Sequence, residues 1–79
     1  MEKIKQAIEI LDQIISDPTV PKNIKNAARE AKESLDSQDE IKIKVDRALQ
    51  YLDAVADDPN MPIYTRTQIW NVMSMLESI

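Results

Sequence analysis

Glycine, cysteine and histidine are all absent from this chain of 79 residues. Without glycine there is no glycine-rich phosphate loop or dinucleotide fingerprint, and without histidine there is no Ser-His-Asp triad or histidine metal site. Without cysteine there is neither a disulfide framework nor a thiolate metal site. These absences exclude most familiar catalytic centres. We therefore predict no enzymatic activity and no catalytic, cofactor-binding or metal-binding residue.

Long hydrophobic runs are also absent, and the charge balance is acidic, with a net charge of −4. No run reaches the roughly 18 apolar residues of a membrane span, and the N-terminus lacks the apolar stretch of a signal peptide. These features predict a soluble, cytoplasmic protein with no membrane partner. Because Lys and Arg supply most of the affinity for phosphate backbones, the acidic balance argues against nucleic acid as the main partner.

Proline marks two similar corners, DPTVP at residues 17–21 and DPNMP at residues 58–62. A proline fixes φ, lacks an N–H and drives the preceding residue out of the α region, so the aspartate that opens each corner should end a helix. That aspartate should also accept a hydrogen bond from the N–H two residues later, as an Asx-turn. The second proline, Pro21 or Pro62, suits the first position of the next helix.

The two corners belong to a longer repeat, since Pro18 and Pro59 lie 41 residues apart and other positions match at the same offset. Most matching positions are apolar and recur at helical spacing, which indicates that both copies bury equivalent faces. We expect one helical domain, residues 1–79, with superposable hairpin repeats at about 4–36 and 45–77. The identical pairs outside the corners are Ala7 with Ala48, Leu11 with Leu52, Asp12 with Asp53 and Leu35 with Leu76.

Apolar residues at i, i+3, i+4 and i+7 spacing predict four amphipathic helices, at about residues 2–16, 21–36, 38–57 and 62–77. Ser37 and Glu40 fit a capping box at the start of the third helix. Since glycine is absent, the helices are expected to end at proline or at polar residues with positive φ.

Four helices with short connections predict an all-α fold, and a four-helix bundle is the economical way to bury four apolar stripes. The alternative is a pair of HEAT-like repeats, which residues 11–35 resemble in length and in their Asp-Pro corner. Two such repeats do not bury a solenoid core alone, so that alternative requires assembly with other copies.

The last predicted helix has a wider apolar arc than one bundle seam requires. Its Trp70 corresponds in the repeat to Arg29, a surface position where tryptophan is unexpected. Either Trp70 covers an edge of the bundle, or it contacts another chain, because tryptophan is enriched at interface hot spots. We predict a contact for a protein partner or for self-association. Its residues are Trp70, Met73, Met75 and Arg66.

Two charged groups suggest other functions. The second helix carries a basic stripe that suits an anionic partner such as nucleic acid, although Glu30 and Glu33 interrupt it. Carboxylates near the second corner have the oxygen ligands that a hard cation prefers, but capping and solvation explain them better. The stripe consists of Lys22, Lys25, Arg29 and Lys32, and the carboxylates are Asp53, Asp57 and Asp58.

Three motifs carry a resemblance to a known family: DPTVPKNI at residues 17–24, DPNMP at 58–62 and TRTQIWNVMSMLE at 65–77. With these motifs, the chain from Ile4 onward resembles an archaeal uncharacterised protein family, number 0147. The resemblance implies a small, cytoplasmic, all-helical bundle of unknown function and transfers no site residue. A protein-interaction or assembly module is the favoured hypothesis, with an accessory protein that binds nucleic acid through the basic stripe as the alternative.

Overall fold

The computed structural model describes residues 2–79 and contains four α-helices: α1 (Glu2–Ser16), α2 (Lys22–Leu35), α3 (Ile41–Asp53) and α4 (Ile63–Glu77). No strand occurs among these described residues, so the predicted all-α class is confirmed. The bounds of α1, α2 and α4 agree with the prediction to within one residue, whereas α3 is shorter at both ends.

The start of α3 differs from the predicted capping box. Glu40 precedes the helix and makes no side-chain cap. The Ser37 hydroxyl instead accepts a hydrogen bond from the N–H of Asp39 at 3.4 Å. Two cations of α3 hold this linker, because Arg47 Nη1 lies 3.0 Å from Asp39 Oδ2 and Lys44 Nζ donates to the Ser37 carbonyl at 3.4 Å. The capping-box prediction was therefore wrong, since contacts with the side of α3 fix the linker.

The end of α3 tightens before the second corner. The N–H of Val55 donates to the carbonyl of Leu52 at 3.2 Å, an i→i+3 bond in place of the α-helical i→i+4 bond. The tighter turn shifts the buried position by one residue along the chain. Ala56 is buried and Val55 half-buried, whereas the first copy buries Ile14 and half-buries Ile15. This tightening explains why α3 ends before residue 57, the predicted bound.

Both proline corners contain the predicted Asx-turn. The N–H of Thr19 donates to Asp17 Oδ1 at 2.9 Å, and the N–H of Asn60 donates to Asp58 Oδ1 at 2.8 Å. Each aspartate thus closes its corner with its own side chain, and this prediction is confirmed.

The second proline of each corner precedes its helix instead of opening it. Pro21 has φ −58° and ψ 152°, and Pro62 has φ −56° and ψ 146°, so both are extended. Their carbonyls accept early helical hydrogen bonds, from Lys25 N–H at 3.1 Å and from Arg66 N–H at 3.0 Å. The predicted position was wrong by one residue, because a missing N–H is also harmless at the N-cap.

The helices end without a left-handed residue, since no residue from 2 to 79 has positive φ. The cap of α2 is Asp36, at φ −84° and ψ −5°, and the cap of α3 is Ala54, at φ −61° and ψ −26°. The left-handed conformation costs roughly 1–2 kcal/mol for a residue other than glycine. Right-handed caps with short i→i+3 bonds avoid this cost, and the expectation of positive φ was wrong.

The helices pack as a ring in which α1 contacts α2 and α4, and α3 contacts the same two. Neighbours run antiparallel. The corners meet at one end of the helices, where Asn23 Nδ2 donates to Asp58 Oδ2 at 2.8 Å. At the opposite end, Lys3 Nζ donates to Ser78 Oγ at 2.7 Å. The α3–α4 contact is the least extensive of the four. The largest fully buried apolar side chains of the core are Leu11, Ile14, Ile24, Leu35, Leu52, Ile69, Val72 and Leu76.

Burial follows the 41-residue offset at most positions of both copies, apart from the one-residue shift at Val55 and Ala56 and differences at Met73 and Met75. Leu11 and Leu52 are both fully buried, and Val20 and Met61 are 5% and 4% exposed. The four-helix bundle, its construction from two hairpins within one domain, and the HEAT-like alternative all stay predictions. Among the described helices, none combines the length and the hydropathy of a membrane span.

Candidate functional site

One side of α4 is exposed and uncharged from Ile63 to Ser74, and Glu77 in the last turn borders it. Its residues recur every three or four positions, so they form a continuous stripe along the helix. Ile63 is 84% exposed, Tyr64 69% and Trp70 51%, which are large fractions for side chains of this size. We call this stripe the α4 outer face. It consists of Ile63, Tyr64, Thr67, Trp70, Asn71 and Ser74.

The matching side of α2 has the opposite chemistry. At the 41-residue offset, each residue of the α4 outer face corresponds to an exposed residue of α2. Lysine stands in place of Ile63, and arginine in place of Trp70. Four of the six residues on this α2 outer face are charged, which is the usual composition of a solvated helix surface. The α2 outer face consists of Lys22, Asn23, Asn26, Arg29, Glu30 and Glu33.

The inner side of α4 is apolar for most of its length, so the outer face is additional apolar surface. Ile69 and Val72 are fully buried in the core. Two polar residues interrupt this inner side, however. Gln68 Nε2 donates to Gln13 Oε1 of α1 at 3.1 Å, while Thr65 Oγ1 and Gln68 Oε1 are buried without a hydrogen-bond partner in residues 2–79. The helix therefore carries polar groups inside and large apolar groups outside, which reduces its amphipathic contrast.

The structure separates the four residues predicted as a partner contact. Trp70 lies on the α4 outer face, whereas Met73 is 7% exposed and belongs to the core. Met75 is half-buried and packs against that core. Arg66 is half-buried, and its Nη2 donates to the carbonyl of Asp58 at 3.0 Å. The exposed surface at Trp70 is therefore extended by outer-face residues and not by the methionines.

Sequence reasoning missed Ile63 and Tyr64 as members of this surface. Both follow Pro62 directly and lie in the first turn of α4. The repeat offset places them opposite Lys22 and Asn23. The offset that pairs Trp70 with Arg29 also pairs Ile63 with Lys22, so the repeat contains the signal for Ile63 as well.

A second apolar surface lies in the seam between α3 and α4. This groove has a volume of about 600 Å³, and Ile41 and Ile79 at its rim are 41% and 40% exposed. Farther along the seam, Met73 lines a cavity of about 220 Å³ with Leu49. Met73 therefore packs toward α3. The incomplete filling of the seam agrees with the small extent of the α3–α4 contact.

Contacts within the protein engage part of the basic stripe on α2. Lys32 Nζ lies 2.7 Å from Asp12 Oδ1 on α1, and this hydrogen bond raises the pKa of Lys32. Arg29 Nη1 donates to Asn26 Oδ1 at 2.9 Å. Because Glu30 also lies on the exposed side, α2 presents mixed charge rather than a uniformly positive surface.

The acidic group near the second corner is tied to the turn through Asp58. The carboxylate of Asp58 accepts hydrogen bonds from the N–H of Asn60 at 2.8 Å and from Asn23 Nδ2 at 2.8 Å. The hydrogen bond from Asn60, which has the larger effect, and the one from Asn23 lower the pKa of Asp58. From residue 2 to residue 79, no three His, Cys, Asp or Glu side chains are grouped so that they could hold a metal ion. The contacts of Asp58 are those of a structural cap.

Known proteins are similar to this chain in both sequence and fold. The profile of the uncharacterised protein family UPF0147 matches residues 1–79. The chain belongs to this family. A UPF0147 protein from Methanocaldococcus jannaschii is 46% identical over 79 residues, covering 99% of this chain and 85% of the relative. Other UPF0147 relatives come from many archaea, so the resemblance predicted from the motifs is confirmed.

Two solved structures are similar along nearly the whole chain. The crystal structure of MMP1188, a protein of unknown function, has a TM-score of 0.92 and 47% identity and covers 98% of this chain and 89% of that chain. A UPF0147 structure from Thermoplasma acidophilum has a TM-score of 0.91 and 31% identity, and it covers 98% of this chain and 92% of that chain. The family is uncharacterised and has no assigned function.

Proposed function

We propose that this UPF0147 protein is a non-catalytic protein-interaction or assembly module that binds an apolar protein surface through the α4 outer face. The observation that carries this proposal is the contrast between two equivalent helices. The same six positions are exposed on α2 and α4, yet the four charged residues of α2 correspond to Ile63, Trp70, Asn71 and Ser74 on α4. The fold needs no apolar residue at these positions, since α2 fills them with polar ones.

The side chains of the α4 outer face are suited to binding. Tryptophan and tyrosine are enriched at interface hot spots, because each supplies a large apolar area at a low cost in side-chain entropy. Full burial of a large apolar side chain is worth about 1.5–3 kcal/mol relative to exposure. Ile63, Tyr64 and Trp70 leave much of that free energy unused in the monomer, and a partner that covers them would gain it.

The nucleic-acid alternative has less support. Binding to phosphates depends on Lys and Arg side chains that are free to replace counterions. On α2, Lys32 is paired with Asp12, and Glu30 and Glu33 lie on the exposed side. Base stacking would require aromatic side chains among these cations, and α2 contains none.

Site-specific photo-cross-linking tests the proposal. A benzophenone amino acid replaces Trp70 in one variant and Arg29, the equivalent residue of α2, in the control, and each is irradiated in archaeal cell extract. We expect mass spectrometry to find adducts of one defined protein at position 70 only, and to find them lost when Ile63→Lys is added. Equal adducts at both positions, or none at position 70, would contradict the proposed use of the α4 outer face.

A further inference from the structure

We propose that the partner of the α4 outer face is a second copy of this chain, docked with its α4 antiparallel to the first about a twofold axis beside Thr67. This inference rests on the proposed function and names the occupant of the same surface. Three features of the surface support it: the spacing of its large side chains, its lack of charge and its area.

The large side chains are spaced symmetrically about Thr67. Ile63 and Tyr64 lie four and three residues before it, and Trp70 and Asn71 lie three and four residues after it. Residues seven apart lie along the same edge of a helix, so Ile63 shares one edge with Trp70 and Tyr64 shares the other with Asn71. A twofold axis through Thr67 therefore sets Ile63 against Trp70 of the second copy, and Tyr64 against Asn71.

This pairing is chemically matched on both edges. An aliphatic side chain meets an indole along one edge, and a phenolic hydroxyl meets an amide with which it can exchange a hydrogen bond along the other. Each contact occurs twice because the interface is isologous. Thr67 at the centre is small enough for the two helices to approach closely.

Charge also favours a second copy at this face. Two copies each carry a net charge of −4 and repel at long range, so they associate best where no like charges are brought together. The α4 outer face has no charged residue. The same antiparallel arrangement of two α2 outer faces would set Lys22 against Arg29 of the other copy, which is repulsive. The lack of charge thus makes α4 suited to self-association and α2 unsuited to it.

The exposed area sets the strength of the association. With roughly 150–250 Å² of surface per aromatic side chain, two outer faces would bury on the order of 1,200 Å² in total, the lower limit for a specific interface. We therefore expect a dimer that dissociates on dilution rather than a permanent one.

Sedimentation equilibrium with matched lysine variants tests this inference. The native protein should pass from monomer to dimer as its concentration rises through the micromolar range. Thr67→Lys puts two cations together at the axis and should weaken dimerisation at least about tenfold. Asn26→Lys, the same change at the equivalent position of α2, should leave it unchanged. Circular dichroism confirms that both variants are folded. Equal effects of the two variants would overturn the inference.

Cysteine variants test the direction of the helices, because the native chain has no cysteine. Under oxidation, Thr67→Cys should form a covalent dimer across the axis, whereas Ile63→Cys and Asn26→Cys should not. Efficient cross-linking through Ile63→Cys would indicate parallel helices and overturn the antiparallel dimer. A monomer at every concentration would overturn self-association too. If the protein stayed monomeric but the benzophenone at position 70 still cross-linked another protein, the proposed function would survive without the dimer. If position 70 gave no adduct, the proposed function and the dimer would both fail.

Discussion

The outer faces of α2 and α4 carry different chemistry at positions that match in the repeat. Arg29 and Trp70 occupy equivalent exposed positions, as do Lys22 and Ile63. The exposed positions of α2 and α4 coincide at the 41-residue offset, so packing determines which positions face solvent on both helices. It does not determine which side chains occupy them. A solvated surface and an apolar surface on equivalent helices therefore differ for a reason outside the core, and binding is the reason we propose.

The inner sides of the same two helices also differ. Ile24 of α2 is fully buried, and its equivalent on α4 is Thr65, also fully buried. Ala27 of α2 similarly corresponds to Gln68. The core of the second hairpin is thus more polar at two positions where the first is apolar. At two other positions α4 is the more apolar helix inside, since the buried Ile69 and Val72 correspond to Ala28 and Ala31 of α2.

The largest expected effect tests whether the two hairpins bury equivalent positions. We propose that residues 4–35 and 45–76 superpose, so Leu11→Ala and Leu52→Ala should remove the same core contact from each copy. Each substitution should lower the free energy of unfolding by about 2–5 kcal/mol. Urea denaturation measures both values. If one variant kept the native stability, the equivalence of the hairpins would be broken.

A smaller effect is expected where the inner sides differ. Thr65→Val keeps the side-chain shape and removes a buried hydroxyl that has no partner among residues 2–79, so it should raise the free energy of unfolding by about 1 kcal/mol. The reverse change at the equivalent position, Ile24→Thr, should lower it by at least about 1 kcal/mol. Thermal unfolding of both variants compares the two helices directly. A destabilised Thr65→Val variant would show that the hydroxyl is satisfied in solution.

The smallest effect concerns the two corners. Hydrogen bonds from Thr19 lower the pKa of Asp17, and those from Asn60 and Asn23 lower the pKa of Asp58. Because both pKa values fall on folding, this stabilisation is present above the unfolded-state pKa of about 3.9 and is lost as the pH falls below it. Both carboxylates are solvent-accessible, so the loss should be modest.

Asp58→Asn tests this origin of the acid sensitivity. The variant keeps an acceptor oxygen but has no charge to lose. Its melting temperature should therefore fall less steeply than that of the native protein between pH 5 and pH 2, a window of about three units that contains the unfolded pKa. Asp57→Asn makes the same change in net charge next to it and serves as the control. Identical acid slopes for the native protein and Asp58→Asn would contradict the assigned role of the Asp58 carboxylate.

The sequence predicted the features that depend on local chemistry. Proline stereochemistry placed both corners, and the aspartate at residues 17 and 58 indicated their Asx-turns. The ends of α3 were not predictable in this way. Arg47 holds Asp39 in the linker before the helix, and an i→i+3 turn after Leu52 buries Ala56 instead of Val55. Local pattern alone does not contain those contacts.

The candidate site was predictable in part. Comparing the repeats identified Trp70 as an unexpected residue at a surface position, and the ring is half exposed in the structure. The same reasoning grouped Trp70 with Met73, which is buried because the α3–α4 seam turns that side of α4 inward. Which side of a wide apolar helix surface is buried depends on how that helix packs against its neighbour. The pattern of one helix alone does not show this.

The central claim is that the α4 outer face is covered on association, and the fluorescence of Trp70 tests it most directly. Trp70 is the only tryptophan of the chain, so iodide quenching at fixed ionic strength reports the exposure of this ring alone. Measured beside sedimentation, the quenching constant should be high in dilute solution and fall as the concentration rises and dimer forms, while Thr67→Lys stays fully quenched throughout. A quenching constant that does not change as the protein associates would show that another surface mediates the contact and would contradict the account.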